Sequence, residues 1–197
     1  MGWHCPCCLE ISSNHLATPL SKHLNKSISE GIFSAELKIA EVVPIFKGGD
    51  PSNFNNYRPI FILSTLSKLF ERLMYNRLFK FIDKFRILSP CQFGFRKNFS
   101  ADSALALLID NITKALDKGE YFVGLFIDLS KAFDTVNHDI LLCKLEHYCL
   151  RGIVYYWLRN NLMARKQYVD YNDTTSNMKY ISCVVPQGSI LGPLLFL

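Results

Sequence analysis

Asp128 lies in Phe126-Ile127-Asp128-Leu129-Ser130-Lys131-Ala132-Phe133-Asp134, where an apolar run ends and a turn begins. A strand behind such a carboxylate holds it still, while the loop ahead admits substrate. Asp oxygens suit Mg2+, a hard ion that prefers octahedral oxygen ligands over His or Cys. Two such ions about 3.5–4 Å apart serve phosphoryl transfer, one activating the attacking hydroxyl and both clamping a triphosphate. The plainer use of an Asp after a strand is as a cap for the following turn. A second candidate is His4, Cys5, Cys7 and Cys8, crowded near the start with His15 and His23 beyond. Their spacing is too tight for a zinc knuckle and no second pair follows, so a metal site competes there with a disordered or miscalled terminus.

The frame around these residues is that of a folded domain. Of 197 residues 49% are hydrophobic and 20% charged, which excludes a disordered chain and leaves room for one good core or two small lobes. A net charge of +5 fits a polyanionic partner without requiring one. Seven cysteines, an odd number, without a secretory leader point to free thiols in a reducing compartment. Apolar stretches fall short of the ~20 residues that span a bilayer, so the expected setting is intracellular, nuclear or cytoplasmic.

Leu16, Leu20, Leu24 and Ile28 predict a helix over 14–29, closed by Gly31. Ile39–Phe46 reads as a strand, Lys47–Pro51 as a turn, and Ile60–Leu63 as a short buried segment. Ser64 or Thr65 opens a helix to about Asp83. Its expected inner stripe is Leu66, Leu69, Phe70, Leu73, Arg77, Leu78 and Phe81, with Lys68, Glu71, Arg72 and Lys80 mostly outward. A second helix runs from Ser100 to Lys118-Gly119, and the apolar run Tyr121–Ile127 predicts a strand covered on both faces. Helices follow from Asp139 to Cys149 and through Trp157 to Met163. Arg165–Tyr171 and Met178–Val185 form a hairpin around Asn172-Asp173-Thr174. This irregular mixture predicts an α+β fold. Asp134 and Asp139 are expected to cap the turn and the next helix, and His138 to be structural, since two-metal chemistry needs no histidine base.

The Phe126–His138 string resembles the first palm motif of reverse transcriptases from non-LTR retrotransposons, most of all the jockey-type elements. The likeness runs in order along the chain from residue 31. Gly31-Ile32-Phe33, Val42–Asp50 and Asn56-Tyr57-Arg58-Pro59-Ile60 match early finger blocks. Gln92–Arg96 matches the next block and Pro186-Gln187-Gly188-Ser189–Phe196 a later palm block. The resemblance implies a right-hand polymerase with fingers over about 31–119, a partial palm over about 120–197, and a separate segment at 1–30. It implies RNA-directed DNA polymerisation, a nucleotidyl transfer, with RNA template, DNA primer and dNTPs as partners and Mg2+ (or Mn2+) as cofactor.

By the same resemblance Asp128 is the first metal-binding carboxylate, assisted by the backbone carbonyl of Leu129. Phe133 matches the ring beneath the incoming sugar, which excludes a 2′-hydroxyl by clash; simple core packing is the alternative. Gln187 matches the glutamine near the ribose, and Gly188 lets backbone approach closely. Lys47 and Arg58 match triphosphate contacts, one a mobile point charge and the other a planar fork. Arg96 falls in a matching block with nucleotide, template or the fold itself as its partner. For all three cations a solvated surface charge is the alternative.

The family's aromatic-x-Asp-Asp turn is absent, and no Asp-Asp pair occurs anywhere in the chain. The expectation is a domain truncated before its second catalytic carboxylate motif and inactive alone, with the residues after Ser189 short of packing partners. A non-catalytic nucleic-acid-binding remnant and a group II intron maturase are the alternative readings.

Overall fold

The computed structural model describes residues 13–129, 132–171, 174–181, 186 and 188–197. Helix α1 (Ser13–Glu30) ends at Gly31, whose φ of +69° suits glycine. A Cβ at Gly31 would lie 3.1 Å from Tyr156 Cβ, so its absence lets the end of α1 sit closely on α5 (Ile153–Leu162). Strands β1 (Ile39–Phe46) and β2 (Tyr57–Leu63) pair antiparallel, from Ala40 opposite Leu63 to Phe46 opposite Tyr57. On its other side β1 runs parallel to β3 (Arg165–Tyr171) from Ile39 to Val42. That pairing stops before Pro44, which has no N–H to give a ladder. Strands β4 (Thr174–Thr175) and β5 (Lys179–Ile181) pair antiparallel with β3. The result is one mixed sheet with helices, an α+β arrangement as the sequence predicts.

Helices α2 (Thr65–Lys84), α4 (His138–His147) and α5 pack with α1 into the main core. Phe33 meets Phe70 and Trp157 edge-on at 5.9 and 5.2 Å, within the range that favours perpendicular rings. Trp157 Nε1 donates to Ser27 Oγ (3.0 Å), and the Phe33 N–H donates to Asn160 Oδ1 (2.9 Å). A smaller cluster of Ala40, Val42, Phe61, Leu63 and Ile181 lies on the sheet. Ser64 caps α2 by accepting from the Ser67 N–H, and Ser100 caps α3 (Ala101–Asp117) through Ser103.

Four expectations need correction. The run Tyr121–Ile127 is no strand: residues 121–129 are irregular, Tyr121 is fully exposed and Phe126 is 83% exposed. Among the described residues no strand lies beside it, so its N–H and C=O groups have no ladder to join. On α2 the buried face is Ser67, Phe70, Glu71, Met74 and Leu78; Arg77 is exposed and Glu71 wholly buried. The helical period does carry an inner stripe, but rotated so that it passes through Glu71. The segment after Ser189 is not short of partners: Leu191, Leu194 and Leu195 join the main core, the last two on α6 (Gly192–Phe196). Finally, Asn137 caps α4, its Oδ1 accepting from the Asp139 and Ile140 N–H groups, so Asp139 sits inside the first turn.

Candidate nucleotide-binding cleft

At the loop end of the β1–β2 hairpin the chain staples its own turn. The Lys47 N–H donates to the Asn56 carbonyl (2.8 Å), Asn56 Nδ2 to the Asp50 carbonyl (2.9 Å), and Tyr57 Oη to the Pro51 carbonyl (2.9 Å). Ser52 donates from its N–H and Oγ to the Asp50 carboxylate, and these bonds hold that carboxyl below its ordinary range. The loop thereby presents Lys47 and Arg58 from adjacent strand ends, both exposed. Neither takes part in an ion pair among the described residues. Two unneutralised cations at one hairpin mouth suit a polyphosphate.

Beneath them opens a cleft of about 1250 Å3. Lys47, Arg58, Phe133, Gly188 and Leu129 all line it, drawn from the hairpin, the 132–135 turn, the turn before α6 and the end of the 121–129 segment. Phe133 is half-buried, stacked on Phe196 at 4.7 Å and edge-on to Phe95 at 5.9 Å. Its ring therefore packs and also forms part of the cleft wall. Asp128 is exposed, one residue before the cleft-lining Leu129. Gln187 lies outside the described residues, as do residues 1–12 with their Cys and His cluster.

Gly188 has φ +113°, and a Cβ there would fall 2.5 Å from the Phe61 carbonyl oxygen of β2. Only a residue without a side chain allows that turn to rest on the strand. Gly188→Ala is expected to destabilise the chain by about 1–3 kcal/mol and to push the turn off β2. A urea melt together with loss of amide protection in residues 188–191 checks this.

Arg96 stands apart. Its Nη1 donates to the Ser89 and Gln92 carbonyls (3.1 and 3.3 Å) and its guanidinium lies 4.1 Å over the Phe99 ring. It borders a second hollow of about 560 Å3 with Lys84, Arg86 and Pro90. Sequence reasoning missed the buried polar group behind the cleft, formed by Glu71, Arg165 and Asn161. The signal for Glu71 was its place between Phe70 and Met74 in the helical period.

As to Mg2+, Asp128 and the Leu129 carbonyl are oxygen donors of the right hardness. Among the described residues, however, no group of three or more His, Cys, Asp or Glu converges on one point. These two donors alone do not complete an ion site.

The family profile described as reverse transcriptase (RNA-dependent DNA polymerase) matches residues 45–197. The chain belongs to the reverse transcriptase family. It is 40% identical over 166 residues to the probable RNA-directed DNA polymerase from transposon BS of Drosophila melanogaster, covering 83% of this chain and 18% of that protein. Against the RNA-directed DNA polymerase from mobile element jockey of the same species it is 34% identical over 173 residues, covering 87% and 19%. The probable polymerase from transposon X-element gives 34% over 165 residues, covering 83% and 18%. This reverse transcriptase chain thus spans under a fifth of the length of these relatives. The jockey-like, non-LTR character implied by its motifs is upheld. No helix is long and apolar enough to cross a membrane among the described residues.

Proposed function

We propose that the chain supplies the fingers (about 31–119) and part of the palm (about 120–197) of the RNA-directed DNA polymerase of a non-LTR mobile element. The observation that carries the reading is the gathering of Lys47, Arg58, Phe133 and Gly188 around one cleft, although they span 142 positions from 47 to 188 inclusive (188 − 47 + 1). In this reading Lys47 and Arg58 hold the triphosphate of a dNTP, and Phe133 lies under its sugar and refuses a 2′-hydroxyl. Gln187 is assigned to the ribose, and Gly188 lets the backbone approach it closely. Asp128 and the Leu129 carbonyl are the oxygens this chain offers to Mg2+, with Mn2+ as the alternative ion. RNA template and DNA primer are the proposed partners.

Titration of the 197-residue chain with Mg–dTTP tests the cleft. Binding is expected, and Arg58→Ala or Lys47→Ala should each weaken it about tenfold, the effect of one charge-assisted contact. Absence of binding, or indifference to both substitutions, sinks the proposal. Because no group of three or more carboxylate, His or Cys side chains gathers among the described residues, the same chain should show no primer extension on an RNA template above background. Extension that Asp128→Asn abolishes would overturn that expectation. Salt-dependent RNA binding by a chain that binds no Mg–dTTP would favour a role in holding nucleic acid without chemistry.

A further inference from the structure

Behind the cleft Glu71 and Arg165 are each about 1% exposed at the side chain, with Arg165 Nη2 3.6 Å from Glu71 Oε1. That separation gives charge attraction but no hydrogen bond, and among the described residues Glu71 Oε1, Arg165 Nε and Arg165 Nη2 have no hydrogen-bond partner. A buried pair so loosely joined adds little to stability, and apolar residues of similar size would serve as well or better. Its other bonds are directional. Glu71 Oε2 accepts from the Ile190 N–H at 2.8 Å, and Arg165 Nη1 donates to the Asn161 carbonyl and Oδ1 at 3.3 and 3.4 Å. One carboxylate on α2 therefore ties down the turn that contains Gly188, and one guanidinium joins the end of α5 to the start of β3. Both attachments lead to the cleft wall, through Gly188 on one side and Val169 and Tyr171 on the other.

We propose that Glu71 and Arg165 are positioning residues, a buried pair that holds the Gly188–Leu191 turn and the start of β3 in register so that the cleft keeps its shape for a nucleotide. The ligand half of this statement rests on the nucleotide reading above; the positional half does not. The charged groups around Glu71 are Arg165 from β3 and Lys68 from its own helix. Lys38, at the foot of β1, is buried beside Arg165. Burial pushes the Glu71 carboxyl upward against these cations and the N–H groups of Ile190 and Leu191.

The test compares wild type, Glu71→Gln and the double variant Glu71→Met/Arg165→Leu in the 197-residue chain. The apolar double variant should melt in urea like wild type, yet the Ile190 amide should exchange at least tenfold faster while Leu145 in the core is unchanged. Its affinity for Mg–dTTP should fall at least fivefold. Wild-type exchange at Ile190 in a folded double variant would overturn the positional claim. If that variant fails to fold, Glu71→Gln decides. The Ile190 amide shift should titrate with pH in wild type and stay flat in Glu71→Gln, whereas identical profiles would refute the proposal. If wild type binds no nucleotide, the nucleotide reading falls, and the exchange data still judge the pair.

Discussion

Glu71→Ala will lower the unfolding free energy by about 3–5 kcal/mol, the usual consequence of removing one member of a buried ion pair. Arg165 keeps its burial and loses the carboxylate beside it, and the Ile190 N–H loses its acceptor. Chemical denaturation followed by far-ultraviolet circular dichroism gives the number, and a loss under about 1 kcal/mol would contradict the burial. Glu71→Gln keeps the acceptor and removes the charge, so it isolates the titration. Burial raises the Glu71 carboxyl above its ordinary 4.5 in the folded chain. A group raised in this way contributes stability that is complete below the unfolded pKa and is lost as pH rises through the folded one. The unfolding free energy of wild type minus that of Glu71→Gln should therefore shrink as pH climbs from about 4.5. A difference that grows with pH would mean that Arg165 outweighs desolvation.

Trp157→Ala should cost a similar 3–5 kcal/mol, and roughly 6–20 °C in Tm for a chain of this size. Trp157 is fully buried where α1 and α5 meet, edge-on to Phe33 and donating to Ser27. Its removal opens a cavity under two helices at once and leaves the Ser27 hydroxyl without its donor. Circular dichroism is the suitable probe, since the substitution removes a core fluorophore. The damage should reach the cleft, because Arg165 begins β3 only three residues after Leu162 closes α5. A melt within 2 °C of wild type would show that the α1–α5 seam carries little of the stability.

Local chemistry made much of this molecule legible from its residues. Ser64 and Ser100 announced helix starts through their capping oxygens, and β-branched residues marked β1. Lys47-Gly48-Gly49-Asp50-Pro51 marked the hairpin turn, and the ordered motifs revealed the family. Each depends on neighbours within a few positions, so sequence order suffices to read it. Other features depend on partners far along the chain. Whether Tyr121–Ile127 becomes a strand is decided by a neighbouring ladder, and apolar composition says nothing of whether that ladder is beside it. Glu71 looked like a solvent-facing charge because composition cannot say which side of α2 meets Arg165, 94 residues later (165 − 71). Lys47, Arg58, Phe133 and Gly188 could each be named from motifs. That they share one cleft is a matter of long-range packing, in which α2, α5 and the sheet close around a carboxylate, a guanidinium and a turn that has room only for glycine.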